Sequence, residues 1–167
     1  GTTVDDIIRS VNWSPDGNYL AVGGDIQGTD PNDLVVYAFD PSLPYANRLT
    51  LVASINPGTT GSNDEIYSVN WSPDGKYLAV GGVIQGTDPN DLVVYAFDPS
   101  MPFANRLTLV ASINPGTIIN DLIRSVNWSP DGNYIAVGGF IQGTDPNDLV
   151  VYAFDPSMPF ANRLTLV

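Results

Sequence analysis

The 167-residue chain contains no cysteine and no histidine. Without cysteine there is no disulfide, no thiolate nucleophile and no cysteine-ligated metal. Without histidine the commonest general base and metal ligand near neutral pH is also missing, and no Ser-His-Asp set can be assembled. Basic residues are scarce. Six Lys and Arg stand against 18 Asp and Glu, for a net charge of −12. Phosphate backbones are bound through Lys and Arg, so nucleic acid is not an expected partner. An anionic membrane surface is disfavoured for the same reason. No apolar run approaches the roughly 18 residues of a membrane-crossing helix. No charged-then-apolar leader is visible, which leaves the compartment open.

Repetition and turns are abundant. The stretch SVNWSPDGKYLAVGG, residues 68–82, recurs as SVNWSPDGNYLAVGG at 10–24 and SVNWSPDGNYIAVGG at 125–139. The spacings are 58 and 57 residues. That period is long for a helical solenoid and falls near a four-stranded blade with extended loops. Sixteen glycines and 14 prolines match a chain of many short strands, and the 43% hydrophobic content can bury a core.

Each unit predicts four strands. In the first unit, strand a covers about Arg9 to Ser14. Ser14-Pro15-Asp16-Gly17 then turns the chain: Pro presets φ, Asp bonds back to the backbone, and Gly accepts positive φ. Strand b, about Asn18 to Gly23, and strand c, Leu34 to Phe39, are unbroken apolar runs, the pattern of strands buried on both faces. Asp40-Pro41-Ser42-Leu43-Pro44 must turn, because two prolines cannot sit in a ladder. Strand d, about Arg48 to Ala53, alternates more, as a half-exposed outer strand should.

SVNWSPDGKYLAVGG followed by LVVYAFD and RLTLV resembles the WD-repeat family of β-propellers, over essentially the whole chain. Phe39-Asp40, Phe97-Asp98 and Phe154-Asp155 stand where that family has its Trp-Asp pair. The Gly-His pair before strand a is missing, so the family's His-centred hydrogen-bond network cannot form. The b–c loop is also longer than usual. The Ser-Pro-Asp-Gly and Arg-Leu-Thr elements are equally similar to TolB-like propellers, which share the same blade. The resemblance implies an all-β propeller of three four-stranded antiparallel blades. The blades span residues 1–54, 55–111 and 112–167, together one partial propeller domain.

Two sets of residues are candidates for chemistry. The b–c loops offer Asp30, Asn32 and Asp33, with copies Asp88, Asn90, Asp91 and Asp145, Asn147, Asp148. Closely spaced oxygens can hold Ca²⁺, but Asp-Pro-Asn-Asp is ordinary turn chemistry, which is the favoured reading. Asp16, Asp74 and Asp131 likewise read as turn residues. Trp13, Trp71 and Trp128 read as core rather than a stacking platform. The Asn12-Trp13-Ser14 sequon lies inside a strand, a poor glycosylation acceptor. No catalytic residue and no cofactor is expected.

The copies differ most informatively at one position, Asp25, Val83 and Phe140, directly after the Gly-Gly of strand b. The other variable stretch is the connector before strand a, with Asp5 and Asp6, Asp64 and Glu65, and Asp121. Both open on the same face of an antiparallel blade, so variation gathers on one rim. The expected function is a non-catalytic binding scaffold with a protein partner at that rim. The alternatives are a metal-assisted carbohydrate-binding or hydrolytic propeller, and an engineered or excised repeat with no function beyond assembly. Three blades cannot close a ring that needs about four to eight. The bare faces of the first and third blades should match, so head-to-tail association is expected: a dimer of six blades or a trimer of nine. Closure would rest on face packing, not on a strand shared between chains.

Overall fold

A computed structural model describes residues 7–26, 32–57, 65–84, 91–115, 122–141 and 148–167. They form three four-stranded antiparallel sheets. The first holds β1 (Ile7–Trp13), β2 (Tyr19–Asp25), β3 (Leu34–Phe39) and β4 (Leu49–Ile55) in chain order. The second holds β5 (Glu65–Trp71), β6 (Tyr77–Val83), β7 (Leu92–Phe97) and β8 (Leu107–Ile113). The third holds β9 (Leu122–Trp128), β10 (Tyr134–Phe140), β11 (Leu149–Phe154) and β12 (Leu164–Leu166).

The strands fall where the sequence puts them, with shifts at their ends. β1 begins at Ile7, earlier than expected, and β2 continues through Gly23-Gly24 to Asp25, because Ile7 and Ile8 pair with Asp25 and Gly24. The Gly-Gly pair therefore lies inside a ladder and does not end it. Between β3 and β4 the chain makes a short 3₁₀ turn, Tyr45–Asn47, after Pro44.

Two bulges in the first two sheets escaped the sequence pattern. Arg9 is left out of the β1–β2 ladder, between the pairs Ile8–Gly24 and Ser10–Gly23. Val52 is left out of the β3–β4 ladder, between Tyr37–Leu51 and Val36–Ala53. The second sheet repeats both, at Tyr67 and Val110. A bulge frees backbone groups and re-aims a side chain. Here it does both: the freed carbonyl of Val52 accepts a hydrogen bond from Arg106 Nη1 of the next sheet at 3.0 Å. Arg163 does the same to Val110 at 2.9 Å.

The core lies between sheets. One cluster joins Ala21, Leu34, Val36 and Ala53 of the first sheet to Ile66, Val69, Trp71 and Leu78 of the second. The other repeats it between the second and third sheets, with Ala79, Leu92 and Val94 against Ile123, Val126 and Trp128. Period-2 alternation sends the two sets of each strand to opposite neighbours. Gly23 and Gly81 make the close approach possible. A Cβ on Gly23 would collide with Ile66 Cγ2 and lie 2.8 Å from Val69 Cγ1; on Gly81 it would meet Ile123 and Val126 in the same way.

Candidate functional site

The two ends of the sheets have different characters. At one end the pairs Ile7–Asp25 and Leu34–Ile55 close the first sheet. The b–c loop and the d–a connector therefore leave from this same rim, as the antiparallel reading requires. Asp25, Val83 and Phe140 are the terminal residues of β2, β6 and β10. Asp25 and Val83 are half-buried, and Phe140 is 51% exposed. Asp5, Asp6, Asp64 and Asp121 lie outside the described residues.

The bulges add a feature at this rim that sequence reasoning missed. Tyr67 lies between two guanidinium groups, Arg9 at 4.6 Å and Arg124 at 5.5 Å from its ring centre. Glu65 pairs with Arg9 at 3.1 Å and accepts the Tyr67 hydroxyl proton in a hydrogen bond. That hydrogen bond, burial and the nearby carboxylate push the Tyr67 phenol up from its ordinary value. The available signal was the Arg, Tyr, Arg series at positions 9, 67 and 124 in a chain with so few cations.

The proposed calcium carboxylates divide. Asp30, Asp88 and Asp145 lie outside the described residues. Asp33 and Asp91 are buried, and their side chains accept the backbone N–H of Ile26 at 3.1 Å and Ile84 at 3.3 Å. Their carbonyls accept from Gly24 and Gly82. Both hold the start of strand c to the end of strand b, which is a turn role. Asp148 is exposed, and its carbonyl accepts from Gly139 at 2.9 Å. Among the described residues no group of three or more acidic side chains is placed to hold a metal ion.

At the opposite end the Ser-Pro-Asp-Gly turns form as expected. The N–H of Gly17 bonds Ser14 O at 2.9 Å, and Gly17 has φ of 73°. The Ser14 hydroxyl and the Asn18 N–H both donate to Asp16 Oδ1. The serine hydroxyl first, then the backbone N–H, hold the Asp16 carboxyl below its ordinary value. Asp131 is held down in the same order by Ser129 and Asn133. At Asp74 burial pushes upward, and is outweighed by Ser72, Lys76 N–H and the Lys76 ammonium.

Between successive turns lie two equivalent grooves. One, of about 410 Å³, is lined by Pro73, Asp74, Tyr77, Asp131, Phe154 and Pro156, among others. The other, of about 420 Å³, is lined by the counterparts Pro15, Asp16, Tyr19, Asp74, Phe97 and Pro99. In each, the tyrosine meets the phenylalanine of the next sheet edge-on at 5.0 Å.

The outer faces of the first and third sheets carry the same residues as the inner interfaces, without their cover. Ile8, Val11 and Trp13 are 61%, 57% and 49% exposed, whereas Ile66, Val69 and Trp71 are buried. On the far side Leu149 is 66% exposed, and its copies Leu34 and Leu92 are fully buried. A Cβ on Gly138 would meet nothing nearer than 3.7 Å. Arg48 repeats the Nε contact of Arg106 and Arg163, to Leu43 O at 3.0 Å. Among the described residues it has no equivalent of their second contact to a neighbouring sheet. These faces correct the expectation that all three tryptophans are core: Trp13 is half exposed, with no neighbouring sheet over it among the described residues.

Three antiparallel sheets stacked face to face through shared cores are consecutive blades of a β-propeller. The model of the WD domain, G-beta repeat family matches residues 2–26, 51–88 and 114–145, each match covering the first two strands of a blade. The matches span more than half of the chain, which therefore belongs to the WD-repeat family. Among curated proteins it is similar to "Cell division cycle 20.1, cofactor of APC complex" of Arabidopsis thaliana, 24% identical over 160 residues. That match takes in 79% of this chain and 33% of the relative, so the chain spans about a third of the relative's length. Two solved structures share the fold. One is a putative 6-phosphogluconolactonase from Bacteroides fragilis (TM-score 0.64, 19% identity, 96% of this chain and 37% of that one). The other is the Cps50 (Swd1) β-propeller domain of Myceliophteria thermophila (TM-score 0.61, 13% identity, 93% of this chain and 43% of that one).

Proposed function

We propose that this three-blade chain is a non-catalytic protein-binding scaffold that completes its ring with further copies of itself. Membership of the WD-repeat family supports the scaffold role. The match between the two bare faces supports the assembly. Ile8 and Val11 carry the side chains that, as Ile66 and Val69, fill the space over Gly23, and Trp13 is the exposed copy of the buried Trp71. Gly138 and Leu149 offer the same receiving surface uncovered. An exposed apolar area of this kind marks an interface, and a head-to-tail contact gives a ring when its rotation closes, as the constant rotation between propeller blades favours. Two chains give six blades and three give nine.

The rim formed by Asp25, Val83, Phe140 and Glu65, with Asp5, Asp6, Asp64 and Asp121 in the connectors, is the recognition face. It carries Asp25, Val83 and Phe140, the aligned position at which all three blades differ, beside the connectors that vary between blades. Native mass spectrometry over a concentration series tests the assembly: a dimer or trimer is expected at high concentration, and a chain that stays monomeric there, or a lone tetramer, would overturn it. For the rim, Val83→Asp with Phe140→Asp should abolish binding of a selected protein partner at unchanged melting temperature. Retained binding would move the recognition face elsewhere.

A further inference from the structure

We propose that the two grooves at the Ser-Pro-Asp-Gly end are equivalent docking sites for a basic peptide, each taking one arginine or lysine side chain. The same groove is built twice, from parts 57 or 58 residues apart: two turn carboxylates, a tyrosine, a phenylalanine and prolines. The volume, about 410 Å³, is that of a small ligand pocket. Its aromatic and proline lining suits the aliphatic stem of a long cationic side chain. The carboxylates contributed by successive turns suit its charged head, and a guanidinium matches a carboxylate through paired N–H donors. The tyrosine ring adds a face for the cation.

The carboxylates are short of cations. Among the described residues neither Asp16 nor Asp131 has a basic group within ion-pair distance, and their neighbours Asn18 and Asn133 are neutral. Asp74 has Lys76, but at 3.6 Å and with that side chain 74% exposed. The turn hydrogen bonds to Asp16 and Asp131 favour the ionised form of both carboxyls. The chain's net charge of −12 adds to this local attraction for cations, within the Debye length of about 8 Å at physiological salt. Both grooves lie within one chain and at the end opposite Asp25, Val83 and Phe140. The proposal therefore stands or falls independently of ring closure and of the rim.

The test titrates the folded chain with capped Gly-Arg-Gly and with its citrulline counterpart, which keeps the shape and loses the charge. Binding is read from amide shifts in two-dimensional NMR. The arginine peptide should shift Gly75, Tyr77 and Gly132, and bind about fivefold or more tighter than the citrulline peptide. Asp74→Asn lines both grooves and keeps a turn acceptor; it should weaken binding about fivefold. Asp40→Asn removes a charge at the same end without lining either groove, and should leave binding unchanged. If Asp74→Asn fails to fold, Asp131→Asn should weaken only the groove of Asp74 and Asp131 and spare that of Asp16 and Asp74. Equal binding of citrulline, equal loss with Asp40→Asn, or full displacement by Mg²⁺ at the same charge concentration would overturn the proposal.

Discussion

The indole N–H of Trp71 donates to the main-chain carbonyl of Asn12 at 3.2 Å, across the boundary between two blades. The Asn12 side chain accepts the Trp71 backbone N–H at 3.1 Å, so one residue satisfies both groups. Asn70 does the same for Trp128, whose indole N–H donates at 3.1 Å and whose backbone N–H donates at 2.9 Å. These bonds join the first strands of successive blades, β1 to β5 and β5 to β9. Ser10 and Ser68 add a third, from Val69 and Val126 N–H at 3.1 Å each.

Asn70→Ala should therefore lower stability by about 1–3 kcal/mol, since it leaves the Trp128 N–H without its partner in a part-buried seam. Asn127→Ala, the same change on the third blade, should leave unfolding of the single chain nearly unchanged and weaken association of copies. Urea melts at low concentration and sedimentation at high concentration separate the two effects.

The glycine counterparts make the same contrast by sterics. Gly81→Ala places a methyl 2.8 Å from Val126 Cγ1 and against Ile123. It should destabilise the chain by about 1–3 kcal/mol through overpacking. Gly138→Ala has room within the chain, and should lower the assembled fraction in light scattering while the monomer melts normally. Arg48→Ala should behave like Gly138→Ala, because the carbonyl that matches Val52 and Val110 belongs to Val167. Arg106→Ala should instead lower monomer stability, having lost its bond to Val52.

Acid and alkali should act through different residues. Asp16 and Asp131 have carboxyls held below their ordinary 3.8 by turn hydrogen bonds. Their contribution is complete above that value and is lost as the pH falls below it towards their folded values. Circular dichroism should show stability falling below about pH 4, with a shallower acid limb in Asp16→Asn. Tyr95 is pushed up by burial from 10.0. Its contribution is complete below pH 10 and is lost above it, so Tyr95→Phe should flatten the alkaline limb.

Calcium is a separate test of the b–c loops. Asp33 and Asp91 already bond the N–H groups of Ile26 and Ile84. Millimolar Ca²⁺ or EDTA should leave the melting temperature unchanged. A rise with Ca²⁺ that EDTA reverses would establish a site occupied in the folded state, by mass action.

Strands, turns and the place of Asp25, Val83 and Phe140 directly after the Gly-Gly of strand b were legible in the sequence because they depend on local signals. Apolar runs make the blade strands, Ser-Pro-Asp-Gly makes the turn, and period-2 alternation assigns faces. The bulge at Arg9 was not legible, since the same Ile-Arg-Ser run would pair equally well without it. The Arg9–Tyr67–Arg124 arrangement that follows from the bulge was hidden with it, and so were the grooves between successive turns. Trp13 and Trp71 show the limit most plainly: they sit in identical SVNWSPDG surroundings, yet one is half exposed and the other 4% exposed. Which strands are apolar on both faces can be read from the sequence, since Tyr19 to Val22 and Leu34 to Phe39 are unbroken apolar runs. Which of those faces is covered depends on the fold, because cover comes from a neighbouring blade some 57 residues away, and among the described residues the first and third sheets are each covered on one side.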